Sequence, residues 1–233
     1  MFMNLGYNSL GVADVNEADS KNEHHISLYR KLLNEVPGIT ERNKKWEVLE
    51  VGCGRGGGCY VLKNYYNMIT ITGIDLSSAN IVLAKKILPE LHFMVDSATE
   101  FKFDKKYDLI LNLESSHAYN SRKVFFENVN AHLKNNGIFA FGDVMAKTKV
   151  EEIEKWLVGS GFKIIKSETI TTGIISSIEK NSAKQFPLQT KFKYLFPQRI
   201  HNFLVTIHSK LLARFKSGMA LYRIYILVKT ANN

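Results

Sequence analysis

Cysteine is nearly absent: Cys53 and Cys59 are the only two in 233 residues, and both lie in one glycine-rich stretch. So few thiols do not make a disulfide framework, and reduced thiols in a cytoplasmic protein are the expectation. No run approaches the roughly 18 unbroken apolar residues that a membrane-spanning helix requires. The opening MFMNLGYNSLGVADVNEADS lacks the basic start and apolar h-region of a signal peptide. No internal repeat or low-complexity tract is visible. Histidines 24, 25, 201 and 208 have no acid or cysteine at ligand spacing, so no metal site is expected. Acidic residues stop at Glu179. Up to that point 21 Lys and Arg face 22 Asp and Glu; beyond it come ten Lys and Arg and no acid. The net charge of +9 therefore belongs to the C-terminal quarter, which suggests an acidic partner, an anionic membrane face or an anionic substrate.

The hydrophobic share of 45% suits one compact domain, or one domain with a cap. Residues 20–36 place Ile26, Tyr29, Leu32, Leu33 and Val36 at helical spacing, and Pro37 and Gly38 stop that helix. A strand–helix rhythm follows. Strands are expected at 46–51, 69–75, 91–96, 107–113 and 137–145, with helices through about Tyr66, over 78–87 and over 122–133. A further helix and strand come after Val150, and the chain ends on the strand MALYRIYILVKT. This alternation predicts an α/β fold: a Rossmann-like, seven-stranded, mostly parallel sheet with an antiparallel last strand. Four segments are expected: an N-terminal helical lid (1–45), the core (46–173), a basic amphipathic cap insertion (174–217) and the final core strand (218–233).

VLEVGCGRGGG follows the first strand and opens the first core helix. Gly52, Gly54 and Gly57 satisfy G-x-G-x-x-G, the turn that lets backbone approach a nucleotide. Glu50, two residues before Gly52, is poor company for a pyrophosphate and suits a ligand with a cationic amino acid moiety. Asp75 ends the second strand, where an acid can accept both ribose hydroxyls. Asp96 ends the third, with Ser97 and Ala98 after it, and can accept from a purine amine. Three consecutive strand tips thus carry acids at the edge where open α/β sheets bind ligands.

VLEVGCGRGGG, ITGIDLSSANIVLAKK, VDSATE and YDLILN…LKNNGIFAFGD resemble, in order, the motifs of the class I S-adenosylmethionine (SAM) dependent methyltransferases. The resemblance covers about residues 46–145. It implies SAM as cofactor and S-adenosylhomocysteine as product, bound by Glu50, Gly52, Cys53, Gly54, Gly56, Asp75, Leu76, Asp96, Ser97, Ala98 and Asn112. Glu50 would lie near the methionine amino group, Asp75 at the ribose and Asp96 at the adenine. NLGYN, ESSHAY and LYRIYILVK are similar to the phthiotriol/phenolphthiotriol dimycocerosate O-methyltransferases, and sugar and sterol-type enzymes share parts of the pattern. In that group the N-terminal segment helps to close the cofactor pocket; Asn8 stands where the pattern usually has tryptophan.

An alcohol acceptor sheds a proton when it takes a methyl group, and a neutral imidazole can remove it at cellular pH. His117 lies just past the fourth strand and Asp143 near the end of the fifth, so on a sheet of this kind the two can meet. In sugar O-methyltransferases with a similar E-S-x-H motif the matching pair is the proposed base and its partner. His117 as a capping or substrate-shaping residue, and Asp143 as a structural acid, remain alternatives here. Glu114 and Tyr119 are candidate substrate contacts, with capping and packing as their other readings.

The segment 180–217 mixes Phe186, Phe192, Tyr194, Phe196, Phe203 and Phe215 with cations, and Ile200, Phe203, Leu204, Ile207, Leu211, Leu212 and Phe215 share one helical face. The favoured reading is a lid over a hydrophobic small-molecule substrate. Peripheral contact with an anionic membrane is the next, and nucleic acid the least favoured. The sequence carries no signal of oligomeric state. O-methylation of a hydroxyl on a lipid-like molecule leads; C- or N-methylation of a quinone, sterol or amine, and a non-catalytic SAM-binding domain, are the alternatives.

Overall fold

The computed structural model describes residues 1–8, 17–41, 45–68, 70–180 and 209–230. Seven strands form one sheet: β1 (Glu47–Val51), β2 (Thr70–Asp75), β3 (His92–Val95), β4 (Tyr107–Leu113), β5 (Leu133–Ala146), β6 (Phe162–Thr169) and β7 (Ala220–Lys229). Their order is β3-β2-β1-β4-β5-β7-β6. The first five pair in parallel, and β7 runs antiparallel between β5 and β6. The expected architecture is the one observed.

Strand residues alternate between two buried layers, the period of two that a sheet covered on both faces requires. Leu109, Leu111, Ile138 and Ala140 pack with α1 (Glu23–Leu33), α2 (Gly57–Tyr66) and α3 (Ser78–Ile87). Leu49, Ile110, Phe139 and Phe141 face the opposite layer of α4 (Arg122–His132) and α5 (Val150–Gly159). Ser77 and Ser121 cap α3 and α4 by accepting from the backbone N–H groups of Asn80 and Val124. Each such cap is worth about 1 kcal/mol.

The differences from expectation sit at element ends. The first helix starts at Glu23, after a 3-10 turn over Glu17–Asn22, and stops at Leu33. α4 stops at His132, and β5 begins four residues before the expected strand because Leu133 already pairs with Tyr107. Residues 171–180 form a helix that crosses the expected start of the cap and buries Ile174 and Ile178; residues 209–216, within the face expected to be helical, are helical and bury Phe215 in the same layer. Most of the cap sequence, with Phe186, Phe192, Tyr194, Phe196, Ile200, Phe203, Leu204 and Ile207, lies outside the described residues. Among the described residues no helix is long and apolar enough to cross a membrane.

The first eight residues run across the carboxyl edge of the sheet. Asn8 donates from Nδ2 to Ser176 Oγ at 2.7 Å, and its backbone N–H donates to Gly173 O at 3.0 Å. Tyr7 N–H reaches His24 O at 2.8 Å, and Ser177 Oγ donates to Leu5 O at 3.1 Å. Asn8, in the tryptophan's place, thus ties this segment to the helix over 171–180.

Candidate active site

The turn after β1 is shaped by backbone that only glycine adopts readily. Gly52, Gly54 and Gly56 all have positive φ, at 71°, 54° and 85°. A side chain at Gly52 would run into Ser115 and come within 2.8 Å of Tyr119 Oη. Asp75 fixes the turn from β2: its Oδ2 accepts from Gly54 N–H at 2.9 Å, and its Oδ1 from Ser77 N–H at 2.9 Å and Asn80 Nδ2 at 3.2 Å. Above this turn lies a cavity of about 160 Å³, bounded by Gly52, Cys53, Gly54, Asp75 and Ser115, with Met1, Met3 and Asn4 as its roof.

Glu50 is placed beneath that cavity rather than in its wall. Its Oε1 accepts from Tyr29 Oη at 3.1 Å, and its Oε2 from Cys59 N–H at 2.7 Å and the Cys59 thiol at 3.0 Å. Burial raises its carboxyl to about 7, against the pull of these donors. Asn112, at the end of β4, is also below the surface: Nδ2 donates to Val51 O at 2.9 Å and Tyr119 Oη at 3.0 Å, and the buried Oδ1 has no partner among the described residues. Gly56 lies under the loop against Leu88 and Phe93. Leu76, 76% exposed, Asp96, Ser97 and Ala98 continue the edge past Asp75 outside the cavity, where Asp96 Oδ1 accepts from Ser97 N–H at 2.8 Å.

A second cavity, of about 1140 Å³, opens on the other side of β4. His117 and Asp143 meet at its wall, as the neighbouring positions of β4 and β5 foretold. His117 Nδ1 is 2.8 Å from Asp143 Oδ1. The carboxylate is fully buried and fixed by four further donors: Ser116 Oγ, His117 N–H at 2.8 Å, Val144 N–H at 2.7 Å and Arg122 Nη2 at 3.5 Å. The His117 side chain is 51% exposed, and its Nε2 has no partner among the described residues. Nδ1–H therefore faces the acid, so that in the neutral imidazole the lone pair of Nε2 faces the cleft.

The sequence between Val48 and Gly137 matches the family described as a methyltransferase domain. Phthiotriol/phenolphthiotriol dimycocerosates methyltransferase of Mycobacterium leprae is 30% identical over 216 residues, covering 91% of this chain and 78% of that protein. The chain belongs to the SAM-dependent methyltransferases. The fatty-acid O-methyltransferase of Mycolicibacterium smegmatis is 31% identical over 187 residues, 78% of this methyltransferase and 66% of that one. Among solved structures, the O-methyltransferase of a trans-AT polyketide synthase of Brevibacillus brevis, in complex with S-adenosyl-L-homocysteine, superposes with a TM-score of 0.73 at 15% identity, over 99% of this chain and 85% of that one. At that identity the likeness is one of fold.

Met3 and Glu114 line both cavities of the methyltransferase and so form the partition between them. Glu114 has φ of 51°, an uncommon conformation for a non-glycine residue, and its Oε2 accepts from Leu5 N–H at 2.8 Å. Burial raises its carboxyl to about 8; the nearby Asp143 charge adds to this, while Leu5 N–H and the Tyr222 hydroxyl temper it. The hydrogen bond to Asp143 raises His117 above 6.5, against its partial burial. Tyr119 lines the larger cavity, packs edge-on against Phe125, and shares a hydrogen bond with Ser115 Oγ at 2.8 Å.

Sequence reasoning missed Met3, Ser116, Arg122 and Trp156. Ser116 sits inside the quoted E-S-S-H stretch and had a signal in its neighbours. Arg122 opens α4 and donates from Nη2 to Val144 O at 3.0 Å, a contact between elements with no local signature.

Proposed function

We propose that this methyltransferase moves a methyl group from SAM to a hydroxyl of a hydrophobic, lipid-like small molecule, with His117 as general base and Asp143 as the residue that orients it. The observation that carries this reading is the His117–Asp143 pair itself. Asp143 holds Nδ1, and Nε2 is left toward a large cleft that meets the glycine-loop cavity at Met3 and Glu114. The names of the M. smegmatis and M. leprae relatives support a lipid-like acceptor.

The residues fit SAM. The glycine cradle leaves room only where side chains are missing, and Asn112 Oδ1 is a buried acceptor without a donor. Gly52, Cys53, Gly54 and Asp75 would hold the methionine and ribose portions, and Leu76, Asp96, Ser97 and Ala98 the adenine end. Glu50, Gly56 and Asn112 support that surface from below. SAM supplies an electrophilic methyl carbon. The chain's part is to align the acceptor oxygen, exclude water and take the proton. Met1, Met3 and Asn4 cover the smaller cavity, the helix over 209–216 borders the larger one, and Glu114 and Tyr119 border the acceptor. When the hydroxyl oxygen takes the methyl, its proton passes to His117 Nε2, and the resulting imidazolium is stabilised by the Asp143 carboxylate.

His117→Ala should lower kcat by about 10²–10⁴-fold while leaving SAM affinity nearly intact. Because Asp143 holds His117 above 6.5, kcat/KM should rise with pH through a midpoint above that value, and His117→Ala should flatten the rise. Titration with SAM, S-adenosylhomocysteine and NAD checks the cofactor first: binding of NAD alone would end the reading. Equal loss of SAM affinity and turnover in His117→Ala would remove His117 from the role of base.

A further inference from the structure

The larger cavity is not uniformly apolar. Met145, Ile153, Trp156 and Leu211 give it a lipophilic wall, yet five cations stand along it. Three are already engaged. Arg122 is turned to Ser116, Asp143 and Val144 O; Lys123 pairs with Glu127 at 2.6 Å and Lys149 with Glu152 at 2.6 Å. Lys210 and Arg214 differ. They lie one helical turn apart on the helix over 209–216, on either side of Leu211, and neither has an ion pair among the described residues. Lys216 of the same helix does, with Glu179 at 2.6 Å. Phe215, buried in the core, holds the helix in place. Glu114 is the only acidic residue on the described cavity wall, and its carboxyl already accepts from Leu5 N–H. No acid follows Glu179 in the sequence, so nothing later in the chain neutralises the pair.

We propose that the acceptor is an anionic amphiphile: its apolar body lies along Trp156 and Leu211, its carboxylate or phosphate rests at Lys210 and Arg214, and the hydroxyl that is methylated sits at the other end, beside His117. Two cations next to an apolar wall recognise a molecule with one charged end and an oily body, and would be a poor match for a wholly neutral lipid. This inference rests on the proposed methyl transfer to a hydroxyl but concerns a different part of the cleft.

The test uses three probes of one chain length: an ω-hydroxy fatty acid, the corresponding ω-hydroxyalkyl phosphate and the neutral α,ω-diol. Binding is read from tryptophan fluorescence, since Trp156 lines the cleft, and methyl transfer from the mass of the product. At moderate salt the full-length protein should bind one or both anionic probes about five- to tenfold more tightly than the diol. Which of the two binds more tightly identifies the anion. Lys210→Ala combined with Arg214→Ala should abolish the preference. Lys155→Ala combined with Lys163→Ala, which removes two exposed cations away from the cleft, should keep it. Equal affinity for all three probes, or a preference that survives the first double variant or is lost in the second, would overturn the proposal. A methyl ester at the carboxylate in place of an ether would also overturn it, because the anion would then sit at the methyl donor. Selective binding without any methylated product would leave the anion site standing and count against the proposed reaction.

Discussion

The two cavities that meet at Met3 and Glu114 are built in opposite ways. The smaller is made of backbone: the glycine turn after β1, the tip of β2 and the extended N-terminal segment, with Glu50 and Asn112 bracing it from below. The larger is walled by side chains from many elements: the turn between β4 and α4, the end of β5, the first turn of α4, α5 and the helix over 209–216. Backbone walls constrain each residue through φ and close approach, and leave no freedom to substitute. Side-chain walls can exchange chemistry without disturbing the sheet. A cofactor shared by a whole family suits the first kind of wall, and an acceptor that differs between relatives suits the second.

The sharpest way to break this contrast is at Gly52. Alanine there must hold φ near 71° and push against Ser115 Oγ, with Ser115 Cβ and Tyr119 Oη 2.7 and 2.8 Å from where its own Cβ would be. Strain of about 1–3 kcal/mol together with the collision should abolish measurable SAM binding and lower the melting temperature by several degrees. Isothermal titration with SAM checks it; retained affinity would show that the turn is looser than its backbone angles state.

Glu114→Ala tests the partition. It leaves Leu5 N–H without its acceptor, a loss of about 1–3 kcal/mol for a donor that stays enclosed. Hydrogen exchange at Leu5 should speed up by about tenfold or more, and the KM for SAM should rise, since Met1, Met3 and Asn4 roof the glycine-loop cavity proposed to hold SAM. Glu114→Gln keeps an acceptor and should restore most of the protection. Unchanged exchange in the alanine variant would separate Glu114 from closure of the N-terminal segment.

The same division explains what could be read from the sequence. The strands are apolar runs bounded by turn residues, and all seven lie within a few residues of where the pattern places them. The β5 start was missed because its extra pairing, Leu133 with Tyr107, joins residues 26 apart and precedes a register shift. His117 and Asp143 were legible as a pair because one follows the end of β4, the other lies near the end of β5, and the two strands are neighbours. Glu50 was legible as an acid at a strand tip but not as one buried beneath the cavity, since its partners Tyr29 and Cys59 come from α1 and from the far side of the glycine turn. Met3 left no trace at all: an extended N-terminal segment has no periodicity, and its place over the loop depends on Asn8, Gly173 and Ser176 meeting across more than 160 residues.

Glu50 gives the smallest effect and tests whether the floor of the cofactor cavity is neutral or charged. Its folded-state carboxyl titrates at about 7, raised by burial from the ordinary value of 4.5. Between those two values the folded protein holds a proton that the unfolded chain has released, so stability falls as pH rises toward and through 7. The Glu114 carboxyl, raised to about 8, and the raised His117 act with the same sign. The melting temperature of the wild type should therefore drop between pH 5 and pH 9. Glu50→Gln has no proton to lose; its amide oxygen can still accept from Cys59 while its NH2 donates to Tyr29 Oη, so its melting curve should decline less. The difference in slope should amount to about 1–2 kcal/mol over that range, a few degrees for a chain of this size. Parallel slopes in the two proteins would mean that Glu50 keeps its charge beneath the glycine loop, where it would then act on a cationic ligand through the backbone above it.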